Sequence, residues 1–303
     1  MNMLLAALIA AYLLSGFVAT QVSLPAIEQV AIRVVIAGFM AAPFLSPRRL
    51  SEMPTSSLLL CFITAASGYL VAAWSFSHAI VLGGYGAAVF ITSLPWLGFL
   101  DLTVKGRRAS LRAVYPLLLS VLGAVVFFIP ELTKESFDID RGSVILWSLL
   151  AALSGAFAQY ARRLHHYRVP SNAIADGVLV SALLQSSLLL PQVRNLPSLS
   201  DISWLVIGGG CYLFSNRLSN RVFAEVDPTK AAVWMSTEPV IALLLGLFFL
   251  GELPNYFQFI GGALLCAASL STAPTCTAMP PTGSLRHHID VPRVNGLRTG
   301  QST

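Results

Sequence analysis

Ten apolar stretches of roughly membrane-spanning length follow one another along this chain. They lie at about 2–22, 26–45, 57–77, 81–103, 110–130, 143–163, 172–192, 202–222, 230–251 and 255–273. A helix needs about 20 predominantly apolar residues to cross the hydrocarbon of a bilayer. In lipid, only helices and closed barrels satisfy their own backbone polar groups. The stretches are punctuated by turn formers such as Ser46-Pro47, Gly83-Gly84, Ser171-Asn172, Asp227-Pro228 and Leu253-Pro254. Composition agrees: of 303 residues, 55% are hydrophobic and only 11% are charged. Soluble domains carry about 25% charged residues, so this chain could not cover a water-facing surface of its size. Disordered chains are charged and poor in apolar residues, which excludes disorder for the chain as a whole. Four cysteines without ligand spacing exclude a disulfide scaffold and read as small buried hydrophobes. The expected fold is an all-α polytopic membrane protein with ten transmembrane helices.

Basic residues supply a test independent of hydropathy, because they concentrate in cytoplasmic loops. With the N-terminus inside, the cytoplasmic loops and tail carry Arg48, Arg49, Lys105, Arg107, Arg108, Arg112, Arg162, Arg163, Arg168, Arg221, Lys230, Arg286, Arg293 and Arg298. The opposite side has Lys134, Arg141 and Arg194, while Arg33 and Arg217 lie within spans. That bias predicts ten spans with both termini cytoplasmic. The first stretch lacks a basic region before it, so it reads as a retained helix, not a signal peptide. Residues 275–303 lose all apolar periodicity and read as a disordered cytoplasmic tail. His287-His288 in that tail reads as a solvated pair, and no metal site is expected. The net charge of +5 is not gathered on a soluble domain, so nucleic acid is not an expected partner.

The chain also matches itself. Ala87-Ala88-Val89-Phe90-Ile91-Thr92-Ser93-Leu94-Pro95 aligns with Ala231-Ala232-Val233-Trp234-Met235-Ser236-Thr237-Glu238-Pro239 at an offset of 144 residues. The match relates the fourth span to the ninth. Two five-helix halves related this way have opposite orientation, which predicts two inverted repeats of the kind found in secondary transporters. Pro95 and Pro239 then become candidate kinks or hinges, each freeing the carbonyl four residues earlier at Ile91 or Met235. A passive bend is the competing reading.

The run Thr237-Glu238-Pro239-Val240-Ile241-Ala242-Leu243-Leu244-Leu245-Gly246-Leu247-Phe248-Phe249-Leu250-Gly251-Glu252, followed by Gln258-Phe259-Ile260-Gly261-Gly262-Ala263-Leu264-Leu265, resembles the EamA-domain signature of the drug/metabolite transporter superfamily. Arg33, preceded by Ala31-Ile32, resembles the arginine of the first EamA unit. Met235-Ser236-Thr237-Glu238-Pro239 with Phe249-Leu250-Gly251-Glu252 is similar to the threonine/homoserine exporter branch. The first-half counterparts of Glu238 and Glu252 are Leu94 and Arg108, a departure from the pattern. The resemblance implies a first EamA repeat at 1–136, a second at 137–274, and an inner-membrane carrier that exports amino acids or related metabolites.

Charges inside spans are costly and mark function by default. Arg33 lies about 10 Å into the membrane and Glu238 about 12 Å from the other side, at 1.5 Å per residue. Arg33 reads as an anion contact or one half of an ion pair. Glu238 reads as a proton carrier or as a brace beside Pro239. Tyr212, Asn216 and Asn220 share one face of the eighth span, with Arg217 and Arg221 alongside. Such a face suits an aqueous cavity, where Arg217 could hold a carboxylate, or it lets the arginines snorkel. Trp74 and Trp234 lie too deep for an interfacial belt and are candidate cavity walls. The substrate-binding candidates are therefore Arg33, Trp74, Tyr212, Asn216, Arg217 and Trp234, and the gating or coupling candidates are Pro95, Glu238 and Pro239.

Small residues at four-residue spacing, such as Ala242/Gly246 and Gly262/Cys266, allow close helix packing or a homodimer contact. No catalytic motif and no nucleotide-binding P-loop is present, so neither an enzyme nor an ATP-driven pump is expected, and no cofactor is implied. The expectation is a secondary carrier for a small molecule, with proton coupling as one drive. An importer, or a multidrug or lipid-handling protein of the same fold, is the alternative.

Overall fold

The structure, a computed structural model, describes residues 2–82, 85–105, 111–133, 141–166, 169–245, 247 and 253–272. The Gly83-Gly84 break, Arg107, Arg108, Lys134, Arg168, Glu252 and the 275–303 tail with His287-His288 lie outside the described residues. Every regular element described is helical: α1 (Asn2–Gln21), α2 (Ala26–Ala41), α3 (Pro47–Ser51), α4 (Thr55–Ala65), α5 (Ala73–Val81), α6 (Tyr85–Ser93), α7 (Trp96–Lys105), α8 (Leu111–Thr133), α9 (Arg141–His165), α10 (Ser171–Leu189), α11 (Leu199–Glu225), α12 (Pro228–Met235), α13 (Glu238–Leu245) and α14 (Tyr256–Ser271). A π-helical segment, Ala66–Ala72, joins α4 to α5. Met1–Thr272 forms one packed unit.

Five helical segments among the described residues are long and apolar enough to cross a membrane: Met3–Gln21, Ala26–Phe44, Thr55–Val81, Gly142–His165 and Ser171–Leu189. This corrects the expectation of ten transmembrane helices in two inverted five-helix repeats. The physical reason differs from stretch to stretch. The 81–103 stretch is cut at Pro95, with α6 ending at Ser93 and α7 starting at Trp96. The 230–251 stretch is cut at Ser236-Thr237. The apolar helices Val114–Pro130 and Tyr256–Ser271 are shorter. At 27 residues α11 is long enough, but it carries Asp201, Arg217, Arg221 and Glu225. Apolar composition counts residues, whereas a span requires an unbroken helix.

The outer surface suits lipid. Phe39 on α2, Leu188 on α10 and Phe259 on α14 are each at least 70% exposed, in a chain too poor in charge to be wetted all round. The molecule is a multi-pass membrane protein. Inside, two places let backbones meet. A Cβ on Gly261 would collide with the Phe127 amide, and one on Gly123 would sit 2.9 Å from the Leu265 nitrogen, so α8 and α14 touch backbone to backbone. A Cβ on Gly208 would come within 3.0 Å of the Arg33 side chain, so α11 leaves room there for a guanidinium arm. Cys61 and Cys211 are buried as expected, while Cys266 is exposed on α14.

Candidate substrate cavity

A cavity of about 260 Å³ is lined by residues of α1, α2, the π segment, α5, α6, α7, α9, α11, α12 and α13. Three helix irregularities converge on its wall. The π segment contributes Gly68, Tyr69 and Ala72; the α6–α7 break contributes Ser93, Leu94, Pro95 and Trp96; the α12–α13 break contributes Met235 and Glu238. Irregular backbone at membrane depth is tolerated only where protein or a cavity satisfies it. At Pro95 this is visible in detail. The ring removes a backbone donor, and Trp96 Nε1 donates 2.6 Å to Ile91 O, the carbonyl the proline frees. Ser93 Oγ donates to Phe90 O at 2.8 Å. At the second break, Thr237 Oγ1 donates to Trp234 O at 2.7 Å and Ser236 Oγ to Ala232 O at 3.1 Å. Both self-matching segments thus end in a side-chain-capped helix break at the cavity wall.

The lining brings together four of the sequence candidates: Arg33, Pro95, Tyr212 and Glu238. Arg33 is 2% exposed. Its Nη2 donates 2.9 Å to Gln29 Oε1 and its Nη1 donates 3.4 Å to Ser15 O, while Nε has no partner. Gln29 in turn donates to Val22 O and Leu24 O, which fixes its amide and links the arginine to the α1–α2 turn. The partners of Arg33 among the described residues are thus neutral, an amide and a backbone carbonyl. The Glu238 carboxylate lines the cavity at the start of α13 and makes no hydrogen bond or ion pair to a described residue.

The other candidates lie elsewhere. Trp74 packs on Trp147 at 5.2 Å, beside His78. Asn216 is buried and donates 2.9 Å to Ala175 O on α10, and Asn220 Nδ2 donates back to Asn216 O at 2.7 Å. That polar face ties α11 to α10, and Tyr212 is its one member at the cavity. Arg217 Nη2 is 3.7 Å from Asp176, a carboxylate also 2.9 Å from Arg49. Trp234 packs among Leu5, Leu8 and Phe223, and Pro239 sits one residue into α13.

Sequence reasoning missed Arg162, which it counted as a loop charge. Arg162 is 3% exposed, lines the cavity, and donates 3.3 Å to Tyr69 Oη with its guanidinium 5.6 Å from that ring's centre. The available signal was direction: helical side chains lean toward the N-terminus, so an arginine near the end of α9 reaches back into the bundle. Tyr69 packs on Tyr212 at 5.3 Å, and Tyr12 shares a 3.0 Å hydrogen bond with Ser219. Among the described residues no group of His, Cys, Asp or Glu could hold a metal ion.

Residues 142–273 match the EamA-like transporter family, so an EamA-like membrane domain is present in this chain. No curated protein matches the sequence. A solved structure described only as a crystal structure of a protein shares the fold, with a TM-score of 0.72, 17% identity, and coverage of 90% of this chain and 96% of that one. At that identity the likeness shows fold alone.

Proposed function

We propose that the protein is a secondary carrier that exports amino acids or related small metabolites by alternating access through the central cavity. The observation that carries this is the convergence of three helix irregularities on one cavity that also holds Arg33, Arg162 and Glu238. Broken helices around a mid-membrane site are a recurring device of secondary transporters. The EamA-like match over 142–273 supports transport as the class of activity. The cavity's 260 Å³ falls below the roughly 300–1,000 Å³ of pockets for drug-sized ligands, which favours small metabolites over drugs. The likeness of Met235–Pro239 to the threonine/homoserine exporter branch points the same way. We take the Arg49 end as cytoplasmic; from Tyr12 to Ala19, from Tyr69 to Ser77 and from Glu238 to Ala242, the lining then runs away from that end.

Counterflow of labelled amino acids into vesicles holding the purified protein tests the proposal. Saturable exchange is expected, and an absence of flux for every amino acid from a folded protein rejects it. Glu238→Gln is expected to slow exchange. An unchanged rate at every pH removes Glu238 from any proton coupling. A lipid-handling reading draws on one observation, an apolar groove between α1 and α11 lined by Ala7, Ala10, Leu14, Ile207 and Gly210. Lipid flip-flop in the same vesicles without amino-acid exchange would favour it.

A further inference from the structure

We propose that the cavity selects a small organic anion with two carboxylates, one held by Arg33 and the other by Arg162. The inference deepens the carrier reading, since it concerns the same cavity. A guanidinium has five N–H donors and no acceptor. The partners found for Arg33 are a glutamine amide and a backbone carbonyl. Those found for Arg162 are the hydroxyl and ring face of Tyr69. In both residues Nε is buried without a partner. Neither arginine forms an ion pair with a described carboxylate, although the same bundle pairs Arg49 and Arg217 with Asp176 near one end. A buried cation is strongly unfavourable unless it is paired. Here the pairing is left to whatever fills the cavity.

The two arginines belong to one site. Arg162 stands over Tyr69, Tyr69 packs on Tyr212, and Arg33 packs against α11 at Gly208, one helical turn before Tyr212. Tyr69 and Tyr212 thus link the neighbourhoods of the two arginines, and a guanidinium is the group that matches a carboxylate in bidentate fashion. Glu238 is the one acidic residue among the described lining residues. With Glu238 ionised the wall carries one net positive charge, and with it protonated, two. A neutral zwitterion satisfies one arginine and leaves the other bare. A dicarboxylate satisfies both, and an amino dicarboxylate adds an ammonium for Glu238.

Binding to the purified full chain in detergent tests this without requiring transport. Succinate, L-glutamate and L-threonine are titrated by calorimetry. Succinate or glutamate is expected to bind at least about tenfold tighter than threonine, and Arg162→Gln to lose about tenfold, as expected for the loss of one charge-assisted fork. Arg162→Lys, which keeps charge without the fork, should recover part of that loss. Threonine binding as tightly as the dicarboxylates, or neither dicarboxylate binding, overturns the proposal. So does unchanged dicarboxylate affinity in Arg162→Gln. Should the arginine variants fail to fold, the ranking of the three ligands on the unmodified chain still decides. Dicarboxylate binding without vesicle flux rejects the carrier and keeps the anion site. Threonine flux with no dicarboxylate preference does the reverse.

Discussion

At the end of the bundle that holds Ser23, carboxylates clasp backbone donors; at the end that holds Arg49, arginines clasp carboxylates and carbonyls. Asp201, in the first turn of α11, accepts from the Ser23 amide at 3.0 Å and hydroxyl at 2.9 Å, and from Ser198 in a capping box. Glu28 accepts from the Arg194 amide at 3.2 Å and from Asn195 at 3.3 Å. At the other end Arg163 Nη1 donates 2.8 Å to Val226 O just past the last turn of α11. The one helix α11 thus carries an acid at its N-terminus and receives a cation at its C-terminus, as its macrodipole favours. The ends differ in what they bury. The Ser23 end engages backbone amides together with short neutral side chains. The Arg49 end places Asp176, 2% exposed, between two arginines from different elements, each roughly 40% exposed. Such a bridge can separate by side-chain movement alone.

Three perturbations put that contrast under strain. The largest effect is expected from removing both cations at once. Arg49→Ala with Arg217→Ala leaves Asp176 buried and unpaired, a loss of about 3–5 kcal/mol, read by denaturant unfolding in detergent. Adding Asp176→Asn should restore most of it. A double variant no less stable than Asp176→Asn alone would mean that the bridge holds nothing. Next comes Arg163→Ala, which strips a charged donor from the α11 carbonyls at about 1.5–3 kcal/mol; a change under 0.5 kcal/mol would sink the capping role. The smallest is Ser198→Ala, the N-cap of α11, at about 1 kcal/mol.

Acid separates the ends further. The Ser23 amide, then the Ser198 hydroxyl, hold the Asp201 carboxyl down at about 2. An unfolded aspartate titrates near 3.9. The folded value is the lower one, so Asp201 contributes its stability above about pH 4 and loses it as pH falls toward 2. Unfolding midpoints measured between pH 5 and 2 should decline less steeply in Asp201→Asn. An identical slope would show that other carboxyls govern the acid response.

The parts of this design legible in the sequence are those that follow from local rules. An arginine and a glutamate inside apolar stretches, and prolines that remove a helical hydrogen bond, led to Arg33, Glu238 and Pro95, all on the cavity wall. The Tyr212–Asn216–Asn220 face was also legible as a face, but spacing alone does not say what it meets, and it meets α10. Arg217 was legible as a charge, while its partner Asp176, 41 residues earlier, is a tertiary fact. Arg162 was hidden because the basic-residue count assigned it to a loop, although the apolar stretch 143–163 contains it and α9 continues to His165. The count of spans failed for a related reason. Hydropathy is blind to an interruption such as Ser236-Thr237, where hydroxyls cap the carbonyls that a helix would have used.

The glycine contact between α8 and α14 has a mechanical consequence. With Gly123 and Gly261 pressed backbone to backbone, neither helix can slide along the other without driving a carbonyl into an amide. The pair therefore travels as a single strut. On the proposed carrier reading, a rearrangement that moved cargo across the membrane would bend around this strut, at the helix breaks beside Pro95 and Thr237.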